Sequence, residues 1–242
     1  MKVALYTLTH DRCAYTIECF AALREKAGHP FDHYIVDNGS RDDTMHWLTT
    51  EYQPHWIWPL DENAGISRAS NIALRAILAQ RHYDLVIKMD NDCLIRTDGI
   101  LSELVRMYQG DATAAKWALS PRVEGINRQP VRVRTVKIAG KSVGQTGIIG
   151  GLFHVLPAAM YDEYYRAGGY PMDAPLARGQ DDHLCEWLRQ NGYHKGYVED
   201  LIVEHHETTD GQARRYPDYF QRKWREESIV PGENLNYEGS RP

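Results

Sequence analysis

Short apolar runs and longer amphipathic patterns alternate through the first half of the chain. The apolar runs have the length and composition of buried strands and occupy residues 3–8, 33–37, 55–60 and 84–89. The amphipathic patterns predict helices at residues 14–28, 42–52, 66–81 and 99–109. Strands that alternate with helices in this way predict an α/β protein built on a parallel, doubly wound sheet.

The second half of the chain is less regular. VRVRTVK at residues 131–137 alternates as a strand does, and GIIGGLFHV at 147–155 is a glycine-rich apolar run. A capped helix is predicted at 181–192, a late strand at 197–206 and a last helix around 213–228. We find no repeat and no linker between these segments, so the pattern favours one domain.

Composition narrows the class of protein. The chain has 242 residues, 43% hydrophobic and 25% charged, which are ordinary globular values, and its net charge of −5 argues against a nucleic-acid binder. The four cysteines fit no zinc or redox spacing and are expected to be reduced thiols. The opening residues make a poor signal peptide, and no apolar run approaches the roughly 20 residues of a membrane helix. We therefore expect a cytoplasmic protein whose membrane contact, if any, is peripheral.

Polar stretches follow each of the four apolar runs. The stretches are TLTHDR, VDNGS, DENAG and MDND. Because the carboxyl ends of parallel strands meet at one rim, where ligands bind, Asp90 and Asp92 are predicted to face a crevice. Two carboxylates in a D-x-D spacing can hold a hard divalent cation together with water and phosphate oxygens. The same spacing also suits a turn in which aspartates cap backbone N–H groups.

Three further stretches carry candidate chemistry, each with an ordinary structural alternative. Asp181 and Asp182 begin a predicted helix, as functional carboxylates or as N-terminal caps. His205 and His206 end the late strand, as functional residues or as ordinary surface or core histidines. The stretch DENAGISRASN leads into a helix whose N-terminus either receives a phosphate or is simply capped and exposed.

Taken together and in chain order, these stretches resemble glycosyltransferase family 2, the inverting enzymes of the GT-A fold. VDNGS is similar to the family's V-D-[DN]-G-S, NAGISRASNIA to its N-x-G-x-[AS]-x-A-x-N, and KMDNDC to its D-x-D element. GQDDHLCEWLRQNGY resembles its E-D-x-D-L-x-x-R-x-x-x-G-Y helix, and EHH its late histidine. The resemblance covers about residues 3–226.

The resemblance implies a GT-A-type, Rossmann-like sheet, parallel in its N-terminal half and mixed and more irregular on the acceptor side. A single domain would span residues 1–242. Its nucleotide-sugar-binding half would occupy about 1–100, its acceptor and catalytic half about 101–210, and a C-terminal helix and tail about 211–242.

The resemblance also implies roles for individual residues. Asp181 would be the general base, with Asp182 beside it as the second catalytic candidate. Asp92 and His205 would bind Mn²⁺ or Mg²⁺, with His206 as the rival of His205. The residues expected to border the nucleotide sugar are Thr7, Arg12, Asp37, Asn63, Arg68, Asp90, Gly150 and Gly151.

The implied activity is metal-dependent, inverting transfer of a sugar from a nucleotide-diphosphate donor to a hydroxyl acceptor, and the expected donor is a UDP-sugar. The acceptor class stays open among glycans, lipid-linked glycans, proteins and small molecules. Gln180 and His183 depart from the family's acidic residues on the acceptor side. The alternatives are a sugar-phosphate nucleotidyltransferase, although the first strand lacks that class's glycine-rich loop, and a non-catalytic nucleotide-sugar-binding protein.

Overall fold

A computed structural model of the protein describes residues 1–126, 130–172, 180–207 and 209–226. Its strands are β1 Val3–Thr9, β2 Asp32–Asp37, β3 Trp56–Pro59, β4 Leu85–Met89, β5 Cys93–Ile95, β6 Trp117–Glu124, β7 Arg132–Ile138, β8 Lys141–Thr146, β9 Phe153–Pro157 and β10 His194–His205. Its helices are α1 Cys13–Lys26, α2 Thr44–Trp47, α3 Gly65–Gln80, α4 Ile100–Gly110, α5 Ala158–Arg166, α6 Gln180–Gln190, α7 Thr209–Arg215 and α8 Pro217–Glu226. A π-helical turn, Leu48–Tyr52, extends α2.

Among the described residues the strands form one sheet, in the order β3-β2-β1-β4-β9-β6-β10-β8-β7, with β5 paired to β10. Strands β1 to β4 run parallel to their neighbours among themselves. The second half is mixed, because β9 lies antiparallel between β4 and β6, while β10 runs parallel to β6 and antiparallel to β8. The predicted α/β class, with a parallel first half and a mixed second half, is confirmed.

Sequence patterns located the elements of the first half except the short strand β5, and missed several in the second. The predictions did not include β5, β6, β8 or α5. VRVRTVK does form a strand, β7, which lies at the end of the sheet order and pairs with β8. Its exposed positions include the basic side chains Arg132, Arg134 and Lys137, and charged side chains protect an edge strand from further pairing.

Strand β1 shows why the first strands are apolar along their whole length. Val3 and Leu5 face a cluster that includes Phe20 of α1, whereas Ala4 and Tyr6 face a second cluster that includes Ala73 of α3. Both faces of this part of the sheet are therefore covered by helices, as is usual for parallel sheets. The acidic residues Asp37, Asp90 and Asp92 lie at or just after the strand ends, and this places them at the rim.

The described residues include no helix with the length and apolarity needed to cross a lipid bilayer. Each of the four cysteines is a free thiol, and Cys19, Cys93 and Cys185 are buried.

The loop after β2 depends on a glycine. Gly39 has φ of +74°, and a Cβ atom there would lie 2.7 Å from Cα of Glu62. Both the left-handed backbone and the close approach of the loop before α3 require the absence of a side chain. This contact fixes the loop after β2 against the loop that leads into α3.

We expect Gly39→Ala to lower the free energy of unfolding by clearly more than Gly140→Ala. Gly140 has φ of +83° but open space around its Cα, so its substitution adds only backbone strain of about 1–2 kcal/mol. At Gly39 a steric clash of the new Cβ adds roughly 1–3 kcal/mol to the loss in the free energy of unfolding. Urea unfolding of both variants measures the difference; equal losses would show that the loop contact is unimportant.

Candidate active site

Asp92, the second aspartate of the D-x-D stretch, lies beside a buried arginine. Nη1 of Arg12 donates to Oδ2 of Asp92 at 2.9 Å, and both side chains are about nine-tenths buried. Arg12 and its neighbour Asp11 have left-handed backbones, with φ of 62° and 51°. This turn between β1 and α1 directs the guanidinium toward the end of β4, where Nη2 also donates to Oδ1 of Asn91 at 3.0 Å.

Gln212 of α7 joins this pair from the C-terminal part of the chain. Its Nε2 donates to Oδ2 of Asp92 at 3.2 Å, and its Oε1 accepts from Nη1 of Arg12 at 2.8 Å. The aromatic ring of Tyr219 in α8 covers the guanidinium, with Cζ of Arg12 4.9 Å from the ring centroid. The last two described helices therefore pack onto the D-x-D end of the crevice.

The two adjacent histidines at the end of β10 have different surroundings. Nδ1 of His205 donates to the carbonyl oxygen of Glu207 at 2.7 Å, so Nε2 is the nitrogen that faces Oδ2 of Asp92, at 3.8 Å. The ring of His206 instead bonds the carboxylate of Glu18, while its backbone N–H donates to the carbonyl of Asp92. Of the two histidines, His205 is the one whose ring faces Asp92.

Asp92 is held in its charged form. Burial alone would raise its pKa, but the neighbouring Arg12 and His205, together with hydrogen bonds from Arg12 and Gln212, outweigh burial and hold the pKa well below its usual value. An ionised, partly engaged carboxylate at this position is suited to a cation.

A second group of charged residues surrounds Asp181 at the start of α6. The Gly151 N–H donates to Oδ2 of Asp181 at 2.7 Å. Nζ of Lys88 donates to the Gly151 carbonyl and to Oδ1 of Asp90, both at 2.6 Å. Asp181 is only partly buried in the fold, yet its surroundings raise the pKa of its carboxyl, because desolvation and the charges of Asp90 and Asp182 outweigh Lys88 and the Gly151 N–H.

Electrostatic interactions connect the two groups. Asp90 raises the pKa of Asp181 on one side and interacts with the charge of Arg12 on the other. Since Arg12 pairs with Asp92, and Asp92 faces His205, these side chains form a continuous series. The structure therefore gathers Asp181, Asp90, Asp92 and His205 at one rim of the sheet rather than on separate surfaces.

The residues expected to border the nucleotide differ in their accessibility. Asp37 is 1% exposed, and its carboxylate accepts from the hydroxyl of Thr9 at 2.7 Å and from the N–H and hydroxyl of Ser40. Thr7 is fully buried, and its hydroxyl bonds the His33 ring below the crevice. The prediction that the Thr7 side chain lines the crevice does not fit this geometry, because Thr7 lies two residues before the strand end. Thr9 occupies that end.

The start of α3 is tied to the loop after β2. The Asn38 side chain donates to Oδ1 of Asn63 at 2.8 Å and accepts from the Ala64 N–H. Asn63 also accepts from the Gly65 N–H, and Arg68 lies exposed on the first turns of the helix. Asn63 thus shapes the helix start, and Arg68 is accessible there.

The residues of α6 that were expected on the acceptor side differ in their exposure. Asp182 and His183 are exposed, and Nδ1 of His183 bonds the hydroxyl of Tyr164 at 2.8 Å. Gln180 is buried. Gly150 lies next to Gly151, and a side-chain Cβ at Gly150 would meet open space.

Asp92 and His205 fit a hard divalent cation as a two-residue ligand set. Because Nδ1 of His205 donates to a carbonyl, its Nε2 is oriented as in metal-binding histidines. No three His, Cys, Asp or Glu side chains converge as a metal cluster in the described part of the chain. That pairing suits Mn²⁺ or Mg²⁺, which take remaining ligands from water and substrate phosphates. Arg12 and Gln212 already bond Oδ2 of Asp92, so a cation would share this carboxylate with them.

The sheet order and the strand directions are those of a GT-A fold. The sequence matches the profile of Glycosyl transferase family 2 over residues 5–159. That match covers more than half of the chain, which therefore belongs to glycosyltransferase family 2. No curated protein matches the chain by sequence.

Solved structures with the same fold are distant in sequence. S. aureus TarS residues 1–349 in complex with UDP-GlcNAc aligns with a TM-score of 0.66 at 16% identity, over 84% of this chain and 58% of TarS 1–349. The mannosyltransferase PcManGT from Pyrobaculum calidifontis, in complex with GDP-Man and Mn²⁺, gives 0.60 at 17% identity over 93% of this chain and 64% of its own. GalNAc-T7 with UDP, GalNAc and Mn²⁺ aligns with a TM-score of 0.63 at 13% identity, and the alignment covers 85% of this chain and 44% of the GalNAc-T7 chain.

The chain therefore spans less than two thirds of the length of each of these relatives. At this level of identity the alignments establish the shared fold.

Sequence motifs did not identify every residue of the site. Lys88 lies inside the strand predicted at residues 84–89, where it resembles an ordinary strand position. Thr9 lies just after the strand predicted at residues 3–8, in the polar stretch TLTHDR, where the motifs assign it no role of its own. Gln212 is separated from Asp92 by 120 residues, so no local spacing signals the contact. Of these three, Lys88 carried a detectable signal, because a lysine within an apolar strand needs a buried partner.

The Arg12–Asp92 pair leads to a stability prediction. Asp92→Asn leaves Arg12 buried without its counter-charge and is expected to lower the free energy of unfolding by about 3 kcal/mol at pH 7 without added metal. Asp98→Asn breaks the exposed Lys26–Asp98 pair and is expected to cost below about 1 kcal/mol. Urea unfolding compares the two.

The sign of the pH dependence follows from the lowered pKa of Asp92. Its stabilisation is present above the unfolded value of about 3.9 and is lost as the pH falls toward the lower folded value. The difference between wild type and Asp92→Asn should therefore shrink below about pH 4. Equal losses for both aspartates at pH 7 would contradict the importance of the buried pair.

Proposed function

We propose that this protein transfers a sugar from a nucleotide-diphosphate donor to an acceptor hydroxyl with inversion, using Asp181 as the general base. The observation that carries the proposal is the placement of Asp181. Its carboxylate is oriented by the Gly151 N–H, is partly accessible, and interacts with Asp90 at the end of β4. A base held in this way lies next to the donor side of the crevice.

The proposed transfer forms one bond, breaks one bond and moves one proton. The acceptor oxygen forms a bond to the anomeric carbon as the bond from that carbon to the diphosphate breaks. Asp181 takes the hydroxyl proton, and the electron pair leaves with the diphosphate. A carboxyl whose pKa is raised by burial is a stronger base than one in water, and this suits proton abstraction near neutral pH.

The donor side is assigned to the rim formed by β1, β2, β4 and the start of α3. Asp37, Asn63 and Arg68 would border the nucleotide, and Asp90 the ribose or donor sugar. The N-terminus of the 16-residue helix α3 offers N–H groups toward a phosphate. Asp92 and His205 would hold Mn²⁺ or Mg²⁺, which when bound neutralises the charge developing on the diphosphate.

The relatives support this class of donor. The solved neighbours were crystallised with UDP-GlcNAc, with GDP-Man and Mn²⁺, and with UDP, GalNAc and Mn²⁺. We propose a UDP-sugar as the donor here, with Mn²⁺ favoured over Mg²⁺ because an imidazole ligand suits manganese better. Family membership favours glycosyl transfer over the nucleotidyltransferase alternative.

Asp181→Asn tests the assignment of the base. The variant should keep the thermal stabilisation that wild type gains from UDP and Mn²⁺, because the donor site is intact. It should lose at least about 100-fold in the release of nucleotide diphosphate from the donor sugar, because proton abstraction is lost. A thermal-shift panel of UDP-, GDP-, dTDP- and CMP-sugars with wild type selects the donor for this assay.

Asp182→Asn is the matched comparison for Asp181→Asn. Asp182 is the adjacent carboxylate on the same helix, but it is exposed. The rate of nucleotide-diphosphate release in Asp182→Asn should therefore fall by less than about tenfold. Full turnover in Asp181→Asn, or an equal loss in both variants, would remove Asp181 as the base.

A further inference from the structure

Lys88 is a buried cation that the proposed reaction does not yet use. It lies in β4, is 2% exposed, and its ammonium donates to Oδ1 of Asp90 and to the Gly151 carbonyl, both at 2.6 Å. On its other side the same glycine donates its N–H to Oδ2 of Asp181 at 2.7 Å. Lys88 therefore contacts one carboxylate directly and reaches the second through a single residue.

Gly151 permits this close arrangement because it lacks a side chain. A Cβ atom at this position would lie 2.8 Å from both Nζ of Lys88 and Oδ1 of Asp181. The space between the cation and the carboxylate is therefore smaller than a methyl group. The attraction between Lys88 and Asp181 depends on the glycine as well as on the two charges.

The neighbouring peptide is fixed in a similar way. His154 is the direct partner of Lys88 across the β4–β9 pairing, and its Nδ1 donates to the Gly150 carbonyl at 3.2 Å. The Gly150 N–H donates to the hydroxyl of Tyr197 at 3.1 Å. Side chains thus bond all four backbone polar groups of Gly150 and Gly151, so the segment that holds Asp181 is rigidly supported.

His154 does not supply the charge at this position. Burial lowers its pKa to about 3, and the charge of Lys88 acts in the same direction, so the ring is neutral. Lys88, in contrast, has a raised pKa: burial opposes its charge, but Asp90 and Asp181 outweigh that effect. Lys88 is therefore the permanent cation of this pair.

We propose that Lys88 is a positioning residue that holds the Asp90 and Asp181 carboxylates in a fixed relation to each other through the Gly151 peptide. The inference rests on the proposed function in taking Asp181 as the base. It adds a specific contact that fixes the position of the donor-side carboxylate, Asp90, relative to the acceptor-side carboxylate, Asp181. Lys88 itself does not contact the reacting atoms in this assignment.

The charge environment of Asp181 gives the proposal a measurable consequence. Among the described residues, the charged groups that act on it include Lys88, Asp90 and Asp182, and the other titratable groups that interact with it include the uncharged Tyr164, Cys185 and Tyr197. The positive charge of Lys88 opposes the effect of burial and of the two like charges. Without it, the protonation midpoint of Asp181 should rise by about 1–3 pH units.

The experiment follows the Asp181 carboxyl directly by ¹³C NMR in the full chain labelled with [γ-¹³C]aspartate. The signal of Asp181 is assigned by its absence in Asp181→Asn. Lys88→Met should raise the protonation midpoint of Asp181 by about 1–3 pH units. Lys88→Arg keeps the positive charge, so its midpoint should lie much closer to that of wild type. No donor, acceptor or metal is needed for this readout.

Lys195→Met controls for the loss of any buried lysine. Lys195 of β10 is 5% exposed, and its ammonium donates to the Cys185 carbonyl in α6, the helix that also carries Asp181. Its partner is therefore not a carboxylate. Its substitution should leave the Asp181 midpoint unchanged. An unchanged midpoint in Lys88→Met, or an equal shift in Lys195→Met, would overturn the proposal.

A second pair of variants tests the effect of Lys88 on Asp181 even if Lys88→Met fails to fold. Gly151→Ala keeps both charges but separates them, and should also raise the midpoint, whereas Gly150→Ala, with open space around it, should not. Equal midpoints in these two variants would likewise reject the role of Lys88. If Asp181→Asn retained full turnover while these shifts were observed, the base assignment would fail and the positioning role would stand.

Discussion

The acidic rim depends on two buried cations. Carboxylates at the ends of buried strands are costly to ionise unless positive charges compensate them. Lys88 bonds Asp90 and Arg12 bonds Asp92, in each case with a side chain that is at least about nine-tenths buried. These pairs allow a D-x-D sequence to follow an apolar strand without unfolding the strand end, and they fix the directions in which the carboxylates point.

The two cations reach the rim by different routes, and each imposes a constraint on the backbone. Lys88 lies in the sheet itself and requires Gly151 to have no side chain. Arg12 lies in a loop and requires two successive residues with left-handed backbones, Asp11 and Arg12. Strained or side-chain-free positions near a crevice are typical of functional sites, because the surrounding contacts must hold them in place. Here the contacts are the same ion pairs that organise the acidic residues.

Local sequence patterns predicted the parts of this arrangement that depend on local spacing. The period of the apolar runs predicted β1, β2 and β4, and the rule for strand ends predicted that Asp90 and Asp92 share a rim. The pairings that decide side-chain direction were beyond that reasoning, because they join distant parts of the chain. Gln212 and Asp92 are one example. The choice of His205 over His206 is another, because it depends on Asp92 facing the first ring and Glu18 the second.

The central claim is that Asp92 and His205 form the metal-binding end of the proposed donor site and that Asp181 lies next to that site as the base for the acceptor. The most direct measurement is anomalous diffraction at the manganese edge from crystals grown with UDP and Mn²⁺. The account predicts one strong peak within direct coordination distance of a carboxylate oxygen of Asp92 and of Nε2 of His205, with the diphosphate and water supplying the remaining ligands. A manganese peak away from both residues, or UDP bound at another surface, would contradict it.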